Sequence, residues 1–193
     1  MTPFSNLRTG YRAILADPPW AFRTYSGDAV PARGDQPYRT MSIDDICALP
    51  VRDIATDDCV LFLWTCWPVL QDSFRVLDAW GFKYKTCAFS WMKADPYRLF
   101  ADDKTPFAGM GYWTRANTEP CLLATRGKPK RINADVRQGI IAPRREHSRK
   151  PDCVHERIER LVAGPYLELF GRQSRPGWDV WGNEATKFDE VAA

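Results

Sequence analysis

Short apolar runs, separated by stretches rich in proline, glycine and charge, divide this chain into recognisable elements. Residues 11–16, Tyr-Arg-Ala-Ile-Leu-Ala, have the length and continuity of a buried strand. Asp17-Pro18-Pro19 ends it, because proline brings no N–H to a strand ladder. The unbroken run 59–64 predicts a strand covered on both faces, and the spacing over 69–80 predicts an amphipathic helix closed by Gly81. Further strands are predicted at 84–91, 120–125, 166–170 and 178–181. A helix is predicted over 151–162, with Pro151 suited to a first helical position and Gly164-Pro165 ending it. Ser42 followed by Asp44-Asp45 predicts another, short helix, capped by the hydroxyl and favoured by acidic charge in its first turn. Two stretches, 26–40 and 93–117, fit neither period and are expected to be mobile loops.

Strands alternating with helices predict an α/β fold, with a mostly parallel central sheet flanked by helices. At 193 residues the chain suits a single domain over 1–193. In such sheets ligands bind beyond the C-terminal ends of the strands, where Asp17 and Gly171 both fall.

Composition adds exclusions. Apolar residues at 45% and charged residues at 26% exclude disordered and fibrous classes. The sequence shows neither a cationic leader nor an apolar run of bilayer length, so a soluble cytoplasmic protein without a membrane partner is expected. The six cysteines are scattered without a Cys-x-x-Cys pair and with two histidines in the whole chain, which predicts neither a metal site nor a disulfide framework. Net charge is +3, but residues 126–175 carry thirteen Lys/Arg against six Asp/Glu. That excess suits either a phosphate-binding footprint or a solvated basic face, and charge alone leaves both open.

Asp17-Pro18-Pro19-Trp20 carries the chemistry. At average residue usage this tetrapeptide arises by accident in on the order of one in 3,000 chains of this length, so it is a specific signal. The exocyclic amine of adenine is a poor nucleophile because its lone pair is delocalised into the ring. A carboxylate and a backbone carbonyl accepting both amine hydrogens would draw the nitrogen toward tetrahedral geometry. Asp17 and the Pro18 carbonyl suit this, Pro19 helps to fix the carbonyl, and Trp20 is expected to stack on the base.

Read with Asp17-Pro18-Pro19-Trp20, several further stretches resemble the MT-A70 family of adenine N6-methyltransferases, in order and over nearly the whole chain. They are Pro37-Tyr38 with Thr40-Met41-Ser42, Phe62-Leu63-Trp64, Gly111-Tyr112-Trp113 with Glu119, and Ser148 with Lys150-Pro151. Glu168-Leu169-Phe170-Gly171-Arg172, Gly177-Trp178 and Trp181-Gly182-Asn183-Glu184 complete the set. The resemblance implies a Rossmann-like S-adenosylmethionine-dependent methyltransferase fold, permuted so that the catalytic tetrapeptide precedes the cofactor strand. It implies that Asp17 and Lys150 lie near the methionine end of S-adenosylmethionine, with Phe170 and Gly171 in the cofactor turn and Arg172, Asn183 and Glu184 near the ribose. Gly171 is expected to allow the backbone close to the cofactor. Tyr38 and Glu119 would meet the base, while Arg144, Arg145 and Arg149 would meet phosphate. A solvated lysine at a helix start and a solvated glutamate remain the alternatives for Lys150 and Glu119.

One departure concerns the ribose: where the eukaryotic catalytic subunit has His-Asn, this chain has Ser174 and Arg175. The short C-terminal motif and the lack of a zinc-finger region resemble bacterial and phage members. DNA is therefore the favoured substrate, and the same reaction on RNA the alternative. A catalytically inactive nucleic-acid-binding subunit and a small-molecule methyltransferase are the competing classes. No target-recognition domain is evident, which leaves selectivity to a homodimer partner or an accessory subunit.

Overall fold

The structure, a computed structural model, describes residues 3–21, 40–94, 113–145 and 149–189. Strand β1, Tyr11–Ala16, buries every residue except Arg12. It lies in the sheet between β2, Ala55–Trp64, and β6, Tyr166–Leu169, parallel to both. The remaining strands are β3, Lys83–Ala94, β4, Thr118–Arg126, β5, Gly139–Pro143, and β7, Trp178–Trp181. Among the described residues seven strands are ordered β5-β3-β4-β2-β1-β6-β7, and of these β4 alone runs antiparallel to its neighbours.

Residues alternate between two apolar layers. Ile14, Ala16, Leu61, Leu63, Leu167 and Leu169 face one layer, with Ile46, Val51, Ile54, Val76 and Leu77. Those come from α1, Ile43–Cys47, α2, Val51–Ile54, and α3, Leu70–Ala79. Ala13, Leu15, Val60, Phe62 and Trp64 face the other layer, where α4, Cys153–Leu161, supplies Val154 and Ile158. At about 1.5–3 kcal/mol for each large side chain buried, these two layers fix the sheet. Two core aromatics have their polar ends paired: Trp80 Nε1 donates to the Ile46 carbonyl at 2.9 Å, and the Tyr11 hydroxyl to Asp179 Oδ2 at 2.6 Å. Burial, then that carboxylate, pushes the Tyr11 hydroxyl up to about 12.

Six strands point the same way, so Asp17, Thr65, Arg144 and Phe170 emerge at one pole of the sheet. Because β4 runs the other way, it begins at that pole with Thr118 and Glu119 and ends at the opposite one with Arg126. There Arg126 donates to the Arg52 carbonyl and Asp57, and the Lys128 N–H donates to Asp58. The basic excess over 126–175 is therefore not one face: its first members are parted from Asp17 by the length of the sheet.

β1 and β7 match their predicted bounds, and Ser42 caps α1 by accepting from the Asp45 N–H. β2 starts four residues before the predicted run, which missed 55–58 because Thr56, Asp57 and Asp58 are polar and interrupt the apolar pattern. α4 starts at Cys153, with Pro151 in the turn ahead of it, where its carbonyl accepts from the Val154 N–H. β3 takes residues 93 and 94 from the predicted loop 93–117; residues 113–117 form neither helix nor strand, and 95–112 lie outside the described residues. Of the predicted loop 26–40, residues 26–39 likewise lie outside them. Among the described residues no helix is long and apolar enough to cross a membrane.

Candidate active site

The tetrapeptide continues the ladder of β1 by one step, since the Asp17 N–H donates to the Leu169 carbonyl at 3.3 Å. The chain then turns tightly, with the Trp20 N–H donating to the Pro18 carbonyl at 2.8 Å and the Met41 N–H to the Pro19 carbonyl at 3.0 Å. Trp20 Nε1 donates to the Trp64 carbonyl at 3.0 Å. These bonds fix the direction of the Pro18 carbonyl, whose oxygen has a second lone pair for another donor. They also correct the expectation for Trp20: its ring is 8% exposed and packed in the core, so it anchors the turn and offers no open face to a base.

Around Asp17 runs a chain of alternating charges. Lys150 Nζ donates to Asp17 Oδ2 at 2.6 Å and stands 3.5 Å from Glu119 Oε2. Lys93 Nζ pairs with the other oxygen of Glu119. Lys150 also lies 5.5 Å above the Trp64 ring, a cation–π distance. The side chains of Lys150 and Glu119 are 15% and 23% exposed, which removes the solvated readings of both. Burial raises the Asp17 carboxyl above its ordinary range; Lys150 opposes this, while Glu119 and Glu168 add to it. Glu119 goes the other way: burial pushes it up, but Lys150 and Lys93 together hold it below the usual carboxylate range.

Two cavities meet at Asp17, Phe170 and Arg172. One, of about 450 Å3, is walled by Pro18, Pro19, Met41, Phe170, Gly171 and Trp181, with Asn183 and Glu184 supplying polar groups. In it Arg172 Nε stands 2.9 Å from Glu184 Oε2, and Lys187 donates to Glu184 Oε1 at 2.6 Å. The Lys187 bond first, with help from Arg172, holds the Glu184 carboxyl below its ordinary range. The second cavity, of about 480 Å3, is lined by Arg149, Lys150, His155, Glu168 and Ser174 among others. In its wall His155 Nε2 and Glu168 Oε2 are 2.9 Å apart.

Phe170 leaves β6 at φ 63, an uncommon conformation for a side-chain-bearing residue, and turns the chain into Gly171. A Cβ on Gly171 would lie 2.5 Å from Val180 Cγ1 and 3.2 Å from Glu168 Cγ. The glycine is thus required by contact between β6 and β7, a reason different from the cofactor approach expected of it. Ser174 uses its N–H on Asp189 Oδ1 at 2.6 Å. Of the expected phosphate contacts, Arg145 pairs with Asp152 and donates to the Lys150 carbonyl, and Arg149 donates to Gln173. Arg144 is exposed, just beyond β5 at the Asp17 pole. Tyr38 lies outside the described residues.

Sequence reasoning missed Lys93, Met41, His155 and Trp181 as lining or pairing residues. Met41 and Trp181 stood within the motif stretches without a role of their own, and Lys93 fell beyond a strand expected to stop at residue 91. Among the described residues no group of three His, Cys, Asp or Glu side chains could hold a metal ion.

Comparison with known proteins agrees with this geometry. A family model described as MT-A70 matches residues 11–184. The chain is 32% identical to the type II methyltransferase M.MunI of Mycoplasma sp, over 92% of this chain and 78% of that protein. It is 30% identical to the human N(6)-adenosine-methyltransferase catalytic subunit METTL3 and 30% identical to an Arabidopsis thaliana N(6)-adenosine-methyltransferase MT-A70-like protein. Each of those matches covers 90% of this chain but only 28% and 24% of the longer relative.

Proposed function

The chain belongs to the MT-A70 family, and from that premise we propose that it transfers a methyl group from S-adenosylmethionine to the N6 amine of adenine in DNA. The observation that carries the reading is Asp17, fixed at the end of β1 beside a tightly held Pro18 carbonyl, in the wall shared by two cavities.

The donor set fits the cofactor. S-adenosylmethionine has a zwitterionic amino-acid end and a nucleoside end. Lys150 and Arg149 suit its carboxylate, Asp17 and Glu168 its ammonium, and Glu184 a ribose diol. Asn183 suits a base edge, and Pro19, Met41, Phe170 and Trp181 form apolar walls. When bound, the cofactor supplies an electrophilic methyl group on a sulfonium centre.

This chain's residues do the rest. Asp17 and the Pro18 carbonyl accept the two hydrogens of the amine, which localises its lone pair toward the methyl group. Both acceptors are fixed before the reaction, so little reorganisation is needed. Once methylated, the nitrogen must shed one proton, and Asp17 takes it, its proton affinity being raised by burial. An adenine in duplex DNA has to leave the stack to reach this site, at a cost of a few kcal/mol.

Similarity across most of a bacterial type II methyltransferase supports DNA, and similarity to the eukaryotic N(6)-adenosine-methyltransferases supports RNA as the second reading. The protein acts in the cytoplasm, and sequence selectivity comes from a second copy or an accessory subunit. The test offers labelled S-adenosylmethionine with matched single-stranded DNA, duplex DNA and RNA, identifying the product by mass spectrometry. N6-methyladenine formed faster on DNA supports the proposal, and faster on RNA selects the second reading. Cofactor binding with no adenine methylated on any polymer overturns both and leaves an inactive binding subunit or a small-molecule methyltransferase.

A further inference from the structure

Trp67 is a tryptophan beside the site that is 52% exposed. An aromatic of this size commonly buries 150–250 Å2, so half of one left in water forgoes a large part of its stabilisation. Its position is well defined. β2 ends at the Asp17 pole, and Trp67 opens a 3-10 turn, Trp67–Val69, that follows it. Cys66, one residue earlier, lies within electrostatic reach of Glu119, Lys150 and Asp17. Thr118, one residue ahead of Glu119, accepts the Trp67 indole N–H on Oγ1 at 3.0 Å. Trp67 is thus tied on two sides to residues adjoining the charge chain of the site.

The ring is also held rather than free to swing. Its N–H is engaged by Thr118, Pro68 restricts the backbone beside it, and the Val69 N–H closes the turn on the Cys66 carbonyl at 3.0 Å. Phe74 and Ile132, also exposed, are placed differently. Phe74 packs edge-on against Tyr84, with centroids 5.2 Å apart, and Ile132 bonds through its N–H to the Leu161 carbonyl at the far pole. Meanwhile the residue expected to stack on a base, Trp20, is buried.

We propose that the Trp67 indole is a stacking platform for an unpaired nucleobase beside the target adenine, a binding site that rests on the nucleic-acid reading above. A planar ring anchored at its edge and half open to solvent suits any base, since every base has a π-face, and its preorganisation lowers the cost of ordering the strand. Arg144, exposed beyond β5, puts positive charge at the same pole for the strand's phosphates.

The test uses single-stranded oligonucleotides with one target adenine and, in turn, an abasic site on either side of it. Binding is read by fluorescence anisotropy and turnover by methyl transfer, for the wild-type chain, Trp67→Phe, Trp67→Ala and Ile132→Ala. Trp67→Ala should weaken binding and raise KM about tenfold, with Trp67→Phe within about threefold and Ile132→Ala unchanged. One abasic neighbour should weaken wild-type binding about as much and abolish the further effect of Trp67→Ala. If the two losses multiply, or Trp67→Ala leaves binding unchanged, the stacking site is wrong even where methylation proceeds. If no adenine is methylated but the coupling is seen, the site stands and the proposed reaction falls.

Discussion

Lys150 donates to Asp17 across 2.6 Å, although 133 residues separate them in the chain. The contact joins the end of β1 to the head of α4, placing a cation on the one carboxylate that the tetrapeptide supplies. Two opposing effects act on Asp17: burial favours its protonated form, and Lys150 favours its ionised one.

Burial wins, so the Asp17 carboxyl titrates above its ordinary value of about 4. In the proposed mechanism Asp17 accepts the amine hydrogens in its ionised form. The acid limb of the kcat profile should therefore have its midpoint above the usual carboxylate range, and Lys150→Met should move it higher still. A limb at or below about pH 4 in both proteins would show that Asp17 does not control it. For stability the sign is the reverse of an ordinary paired carboxylate. Ionising Asp17, as pH rises from its unfolded value through the raised folded one, removes stability.

Glu119 provides the opposite case. Its folded value is lowered, so it contributes stability above its unfolded value and loses it as pH falls through the folded one. Lys93→Met removes one of its two cations. We expect a loss of about 2 kcal/mol at pH 7, roughly 4–8 °C in Tm, with the gap to wild type narrowing by pH 4. A difference constant across pH would mean that Lys93 contributes packing and no charge.

At the β6–β7 turn, Gly171→Ala drives a Cβ against Val180 and Glu168. The cost should be about 1–3 kcal/mol, read as a lower Tm. Trimming the neighbour restores room, so the double variant with Val180→Ala should melt above the value expected from adding the two single effects. Simple additivity would place the cause elsewhere than in this contact.

Glu184 is expected to accept from the ribose. Glu184→Ala should weaken S-adenosylmethionine binding by roughly 10- to 100-fold in calorimetry, the size of a hydrogen bond to a charged group, and leave kcat at saturation within a few-fold. Unchanged affinity would remove Glu184 from the cofactor site.

Much of this arrangement was legible in the chain, for identifiable reasons. β1 stands out because it is short, apolar and ended by Pro18 and Pro19. The tetrapeptide, Lys150 and the 168–172 motif were found as residue types in order, without any need for coordinates. Pairwise geometry was less accessible. The Lys93–Glu119 contact depends on β4 lying antiparallel to β3, which no local pattern announces. β5 was missed because five residues between charged stretches give too short a run to show a period. Trp20 misled because a tryptophan beside a catalytic carboxylate looks available to a base, whereas the Trp64 carbonyl and the α1–α3 layer claim it.

The most direct test compares the wild-type chain with Asp17→Asn, which keeps the shape of the side chain and removes its charge. Both are given labelled S-adenosylmethionine and adenine-containing single-stranded DNA, with cofactor binding measured in parallel. The wild type is expected to form N6-methyladenine, and Asp17→Asn to remain folded with a Tm no lower than wild type yet to transfer methyl at least about a hundredfold more slowly. Transfer by Asp17→Asn at the wild-type rate would mean that the carboxylate has no part in activating the amine.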